Sequence, residues 1–183
     1  MTTDKELLIA TDKEFHASIV QGVVKDAHWA LEAKRFRAAV ILAYCGIDTM
    51  ASLMRPADNP QVNREGFVEW VENFMDFRNE NGPTGLELYA ARCGILHANM
   101  AESKLSIAGK VRMIGYVDKA AEPVLTDKNV ENMILLSTTH LVGIMAEGVL
   151  KSWRSIKESQ ELLFLVHERL NRLFQEFDIK KTN

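Results

Sequence analysis

From Phe15, apolar residues recur at Ile19, Val20, Val23, Val24, Ala27 and Leu31, the i, i+4, i+5, i+8 spacing of one helical face. This predicts a first helix over about 12 to 33. Lys34, Arg35 and Arg37 mark the junction with a second helix, whose stripe is Phe36, Val40, Ala43, Ile47, Met50 and Met54. Leu42, Tyr44 and Cys45 widen that stripe until most of the circumference is apolar, so this helix is expected at the centre of a bundle. Arg55-Pro56-Ala57-Asp58-Asn59-Pro60 breaks it, because each proline disfavours helix in the residue before it. A third helix follows from about Asn63 to Phe77 with Phe67, Trp70, Val71, Phe74 and Phe77 inward, and Asn79 to Pro83 breaks the pattern again.

Thr84-Gly85-Leu86-Glu87 then fits a capping box, in which Thr84 accepts from a free backbone N–H and Glu87 reaches back to the cap. A fourth helix therefore begins near Gly85. After Ser103 the period changes: Lys110–Val117 and Asn132–Leu136 read as short strands, with Pro123 and Thr126-Asp127-Lys128-Asn129 in the connection. The expectation is a small β-hairpin around 108–137. Two further helices are predicted, one on Val142, Met145, Val149, Trp153 and Ile156, the other on Leu162, Leu163, Val166, Leu170, Leu173, Phe174 and Phe177. The expected fold class is mainly α, a single domain over 1–183 with five to six bundled helices and the β-hairpin as an insertion.

Composition narrows the functional classes only a little. The 183 residues, 47% hydrophobic and 26% charged, suffice for one core without staples. A formal net charge of −3 gives no global pull toward nucleic acid, so any such contact must be local. Cys45 and Cys93 lie in apolar runs and read as reduced, buried small hydrophobes. Met1 to Glu6 lacks the basic-then-apolar order of a secretion signal. The longest uncharged stretch expected to be helical, Ala38 to Ile47, falls short of the ~20 residues that a bilayer span needs. These features predict a cytoplasmic location and no membrane.

Several signals of chemistry are missing: a phosphate-cradling glycine loop, a nucleophile-elbow serine, HExxH and paired CxxC. His16, His28, His140 and His167 are scattered over separate predicted helices without ligand-like spacing, so no metal and no cofactor are expected. The Lys34-Arg35-Phe36-Arg37 cluster can grip a phosphate or simply sit in solvent. The Cys45-Gly46 and Cys93-Gly94 pairs suggest tight packing of the second helix against the fourth, since a mid-helix glycine commonly marks close backbone approach.

The segment left is Glu87-Leu88-Tyr89-Ala90-Ala91-Arg92-Cys93-Gly94-Ile95-Leu96-His97-Ala98-Asn99. Between Glu87 and Glu102, Arg92 is the only fixed charge and His97 the only other group expected to titrate near neutrality. Asp48 is likewise the only charge from Ala38 to Met54. A lone charge in an apolar setting needs a partner, so Asp48 is predicted to pair with Arg92. Five helical residues turn through about 500°, so Arg92 and His97 are expected to diverge by about 140° within one chain.

Arg92-Cys93-Gly94-Ile95-Leu96-His97 resembles the mark of the HEPN superfamily of small helical bundles, an Arg, four to six residues, then His on a bundle helix. The resemblance implies metal-independent RNA cleavage at a two-fold interface. It gives catalytic roles only to Arg92 and His97; Asp48, Cys93 and Asn99 are expected beside them as supporting residues. Where active members carry a polar residue after the arginine, this chain has Cys93. The expected partners are a second copy in a homodimer, RNA or a nucleotide, and a partner protein. Two other readings stay open: a non-catalytic helical interaction module in which Arg92, Asp48 and His97 form a structural network, and a small-molecule pocket between helices.

Overall fold

The computed structural model describes residues 4–59, 61, 63–78, 81–98, 100–118, 124–125 and 132–173. The chain begins with α1 (Asp4–Phe15), passes into a π-helical stretch (His16–Val24) and continues as α2 (Lys25–Glu32). The predicted first helix is thus real but starts earlier, and it is not regular. Gly22, at φ −87° and ψ −112°, kinks it, and glycine and π-type turns are two recognised causes of such kinks.

A Schellman motif ends α2: Lys34 N–H donates to Leu31 O at 2.9 Å and Arg35 N–H to Ala30 O at 2.7 Å. Lys34 itself takes the left-handed position, φ +57°, where glycine is the usual choice. The central helix α3 (Phe36–Met54) follows, as predicted, and packs on α2, α4, α7 and α8. Val40, Ala43, Tyr44, Ile47 and Met50 are fully buried, whereas Leu42 and Cys45 are only partly so. Among the described residues α3 is also the one helix long and apolar enough to suit a membrane span, with mean hydropathy 1.3, and half of it is buried inside the bundle.

Arg169 of α8 (Gln160–Leu170) caps the C-terminal end of α3. It donates to Leu53 O at 2.8 Å, to Pro56 O at 3.1 Å and to Arg55 O. A cation at a helix C-terminus meets carbonyls that have no helical partner. Arg169→Ala is expected to cost about 2 kcal/mol, the scale of hydrogen bonds to a charged group. Thermal unfolding checks this, with a fall of roughly 4 to 8 °C for a domain of this size.

Helix α4 (Arg64–Phe74) starts on Asn63, whose side chain accepts from Gly66 N–H at 2.9 Å. It buries Phe67, Trp70 and Val71 and ends three residues before the predicted Phe77, which is nonetheless buried. Helix α5 (Gly85–Ala98) opens with the predicted capping box: Glu87 N–H donates to Thr84 Oγ1 at 3.2 Å, and Thr84 N–H to Glu87 Oε2 at 2.8 Å. A single turn, α6 (Lys104–Ile107), separates α5 from the sheet.

The strands β1 (Met113–Val117) and β3 (Met133–Ser137) lie within two residues of the predicted bounds apart from the start of β1. Their pairing corrects the expected hairpin. They run parallel, Ile114 opposite Ile134, while β2 (Val124–Leu125) pairs antiparallel with β3 in the order β1-β3-β2. The link of about 15 residues between β1 and β3 is long enough for the crossover that parallel strands need, and periodicity marks a strand without giving its direction. Tyr44 of α3 ties the sheet to the bundle through a 2.7 Å hydrogen bond between its hydroxyl and that of Tyr116.

Helix α7 (Thr138–Glu158), capped by Ser137, buries the predicted Val142, Met145, Val149, Trp153 and Ile156. On α8, capped by Ser159, Leu163, Val166 and Leu170 are buried. Phe174 and Phe177 of the predicted stripe, and Pro123 and Thr126–Asn129 of the connection, lie outside the described residues. Trp153 stacks on Phe15 with ring centroids 4.5 Å apart, closing the first and seventh helices over the core.

Candidate functional site

Asp48 and Arg92 come from neighbouring helices of the bundle and meet as the lone charges of their apolar runs. Arg92 Nε donates to Asp48 Oδ2 at 2.8 Å, and the side chains are 22% and 25% exposed. The pair is therefore partly open, and breaking it should cost about 1.5 to 3 kcal/mol, less than for a fully buried pair. Burial pushes the Asp48 carboxyl up, against the lowering hydrogen bond and charge of Arg92 and the charge of His97. For Arg92, burial acts downward but Asp48 and then Cys93 outweigh it, so the guanidinium is held more firmly charged. The partners thus shift in a way that stabilises one charge and not the other. The short contact to a permanently charged guanidinium governs the geometry, and the upward shift of Asp48 measures what burial costs it.

Arg92 also reaches His97: its Nη1 lies 3.1 Å from His97 Nε2, and His97 is exposed. This overturns the expected divergence within one chain. The 140° angle describes Cα positions, whereas helical side chains lean toward the N-terminus, which brings the imidazole of His97 back toward the long arm of Arg92. Since a guanidinium only donates, Nε2 accepts in this arrangement and the ring hydrogen sits on Nδ1. Nε and Nη1 carry these two contacts, and Cys93 lies beside the same guanidinium as a further partner.

Cys93 is partly exposed beside Arg92, and with burial it raises the Tyr89 hydroxyl, burial being the larger influence. Asn99, the remaining supporting residue, lies outside the described residues. Sequence reasoning missed Cys45. Its thiol is partly exposed, not simply buried, and is pushed up by burial and by Asp48 against the pull of Arg92. The i, i+3 spacing of Cys45 and Asp48 was the available signal, since it puts both on one helical face.

The glycine pairs do mark close approaches, but not of the second helix on the fourth. A Cβ on Gly46 would meet the Met145 sulfur of α7 at 2.9 Å, and one on Gly94 would meet Glu102 O at 2.7 Å and Met100 O at 2.8 Å. Met100 and Glu102 lie over Gly94, with Met100 N–H donating to Gly94 O at 3.1 Å. Gly94→Ala should cost about 1 to 3 kcal/mol because backbone must move. Gly46→Ala, facing a flexible methionine, should cost less. Chemical denaturation of the two variants side by side checks the ordering.

Other histidines serve the scaffold. His28 bonds Val24 O at 2.9 Å, His140 the Ser137 hydroxyl at 2.9 Å and His167 that of Thr11 at 3.1 Å. Among the described residues no three His, Cys, Asp or Glu side chains cluster as a metal site. Asp48, Arg92 and His97 thus place a partly exposed carboxylate, a guanidinium and a solvent-facing imidazole in one chain of contacts. No protein-family model matches the chain, and no characterised protein or solved structure is significantly similar to it.

Proposed function

We propose that Asp48, Arg92 and His97 form a metal-independent site for the RNA phosphodiester, as the resemblance to HEPN proteins implies. The observation that carries this reading is the double contact of Arg92, with buried-side Asp48 at 2.8 Å and exposed His97 at 3.1 Å. A base held by an anion binder that is itself held by a third group is the arrangement that acid–base chemistry on a phosphate needs. Arg92 shifts toward the phosphate and donates to it. His97 Nε2 is thereby released from Nη1 and takes the proton of the ribose 2′-hydroxyl. The 2′-oxygen attacks phosphorus, Arg92 stabilises the charge gathering on the phosphorane, and the bond to the 5′-oxygen breaks to leave a 2′,3′-cyclic phosphate. The leaving oxygen requires a proton. A homodimer that faces two such sites supplies it from the second His97, protonated, which gives the two-fold arrangement a chemical purpose.

The test is incubation of the protein with unstructured RNA in EDTA. Products ending in cyclic phosphate are expected. RNA that is neither bound nor cut under these conditions would reject the proposal. The second reading, a non-catalytic interaction module with Asp48, Arg92 and His97 as a structural network, draws on the partial burial of the ion pair. It predicts variants that lose stability and leave RNA behaviour unchanged.

A further inference from the structure

One side of α3 stays accessible along much of its length. Arg37 is exposed, and Ile41, Cys45 and Asp48 are partly exposed. At 100° per residue these four fall within about 80° of one another, and Arg37 stands about 16 Å along the helix from Asp48 on the same face. Asp48 holds Arg92, which in turn meets His97, so this strip runs from the proposed site to the elbow between α2 and α3.

That elbow is rich in basic residues. From Lys25 to Arg37 it holds four basic residues against two acidic ones, in a chain whose net charge is −3. Lys34, Arg35 and Arg37 are all exposed, and none forms a salt bridge among the described residues. Lys34 is held in the left-handed conformation at φ +57° by the Schellman motif, a position where glycine is the usual residue. Five residues before it, on α2, Trp29 is 56% exposed, whereas Trp70 and Trp153 are 3% and 9% exposed. Lys25 Nζ sits 5.0 Å from the centre of the Trp29 ring and covers one of its faces, a contact that a stacking base would have to share or displace.

We infer that the α2–α3 elbow and the exposed strip of α3 form a track for single-stranded nucleic acid, with a base stacked on Trp29 and phosphates on Lys34, Arg35 and Arg37. An exposed aromatic side chain on the same elbow as exposed cations outside any ion pair is the combination single-stranded nucleic acid binders use. The inference rests on the reading of Asp48, Arg92 and His97 as a phosphodiester site, and it extends that site to a strand several nucleotides long.

The test uses 2′-O-methyl oligouridylates of two and twelve nucleotides, which lack the 2′-hydroxyl and cannot be cut by the proposed route. With Trp29 the one exposed tryptophan, fluorescence reports its occupancy. The twelve-mer is expected to quench it and to bind more weakly as salt rises, whereas the two-mer does neither. Trp29→Ala should weaken the twelve-mer about tenfold or more, and Arg37→Ala should lower the salt slope by about 1. Lys34→Gly should weaken binding while leaving the fold intact, because glycine suits the left-handed position. Unchanged twelve-mer affinity and slope in all three variants overturns the track, as does quenching by a polyglutamate peptide or anionic lipid vesicles in place of the oligonucleotide. A protein that binds the twelve-mer as described but never cleaves RNA refutes the catalytic reading and leaves the track. One that cleaves RNA while the three variants bind normally refutes the track alone.

Discussion

Glu87→Ala is expected to cost about 2 to 4 kcal/mol, somewhat less than for a fully buried ion pair because the Arg112 side chain is 34% exposed. Glu87 itself is only 5% exposed, and its carboxylate accepts from Arg112 Nε at 2.6 Å, Arg112 Nη2 at 2.9 Å and Thr84 N–H at 2.8 Å. Arg112 in turn donates to Asn81 O at 3.3 Å and Gly82 O at 3.1 Å. Removing Glu87 therefore takes the carboxylate from a partly exposed guanidinium, opens the cap of α5 and unties that helix from the start of β1. Thermal unfolding should fall by roughly 4 to 16 °C. The combined Glu87→Ala and Arg112→Ala variant should lose less than the two single losses added, because they break one interaction.

The same carboxylate sets an acid limit. Burial acts to raise the Glu87 carboxyl, but the Arg112 hydrogen bonds, Thr84 N–H and the Arg112 charge outweigh it and hold it below the usual range. The stabilisation is complete above the ordinary glutamate value of about 4.3 and is lost as pH falls through the lowered one. Asp48 has the opposite sign: its folded-state value is raised, so stability falls as pH climbs from about 3.9 through that value. Stability measured against pH should thus lose part of its acid decline in Glu87→Gln. In Asp48→Asn the loss on the rising side should shrink.

The second large effect is on chemistry. His97→Ala should slow metal-independent RNA cleavage by about 10² to 10⁴, the usual worth of a general acid–base group. Arg92→Ala should slow it by about 10² to 10³, as for loss of a donor to developing negative charge. Arg92→Lys should rescue little, since a point charge cannot hold Asp48, His97 and a phosphate together as a planar fork does. Circular dichroism must show the fold kept, so that the loss belongs to the site.

How much of this could be read in the sequence depended on how local its cause was. Asp48 and Arg92 were legible as a pair because each is the lone charge in its apolar run, and burial then leaves little choice of partner. The Thr84–Glu87 box was legible because its residues are three apart. Arg112 was not, since its partner lies 25 residues back and only the tertiary fold unites them. Arg169 escaped notice for the same reason, its carbonyl partners being more than 110 residues away. The parallel direction of β1 and β3 was hidden because a two-residue period looks the same either way. The meeting of Arg92 with His97 was hidden because angles between Cα positions ignore the reach and tilt of the side chains.

The central claim is that Arg92 and His97 act on an RNA phosphodiester through its 2′-hydroxyl. The most direct measurement is the mass of products from an oligonucleotide with a single ribose in an otherwise 2′-deoxy strand, incubated with the protein in EDTA. The account predicts one cut, on the 3′ side of that ribose, leaving a cyclic phosphate, and no cut in the all-deoxy strand. Cleavage of the all-deoxy strand, or an intact ribose-containing strand, would contradict it.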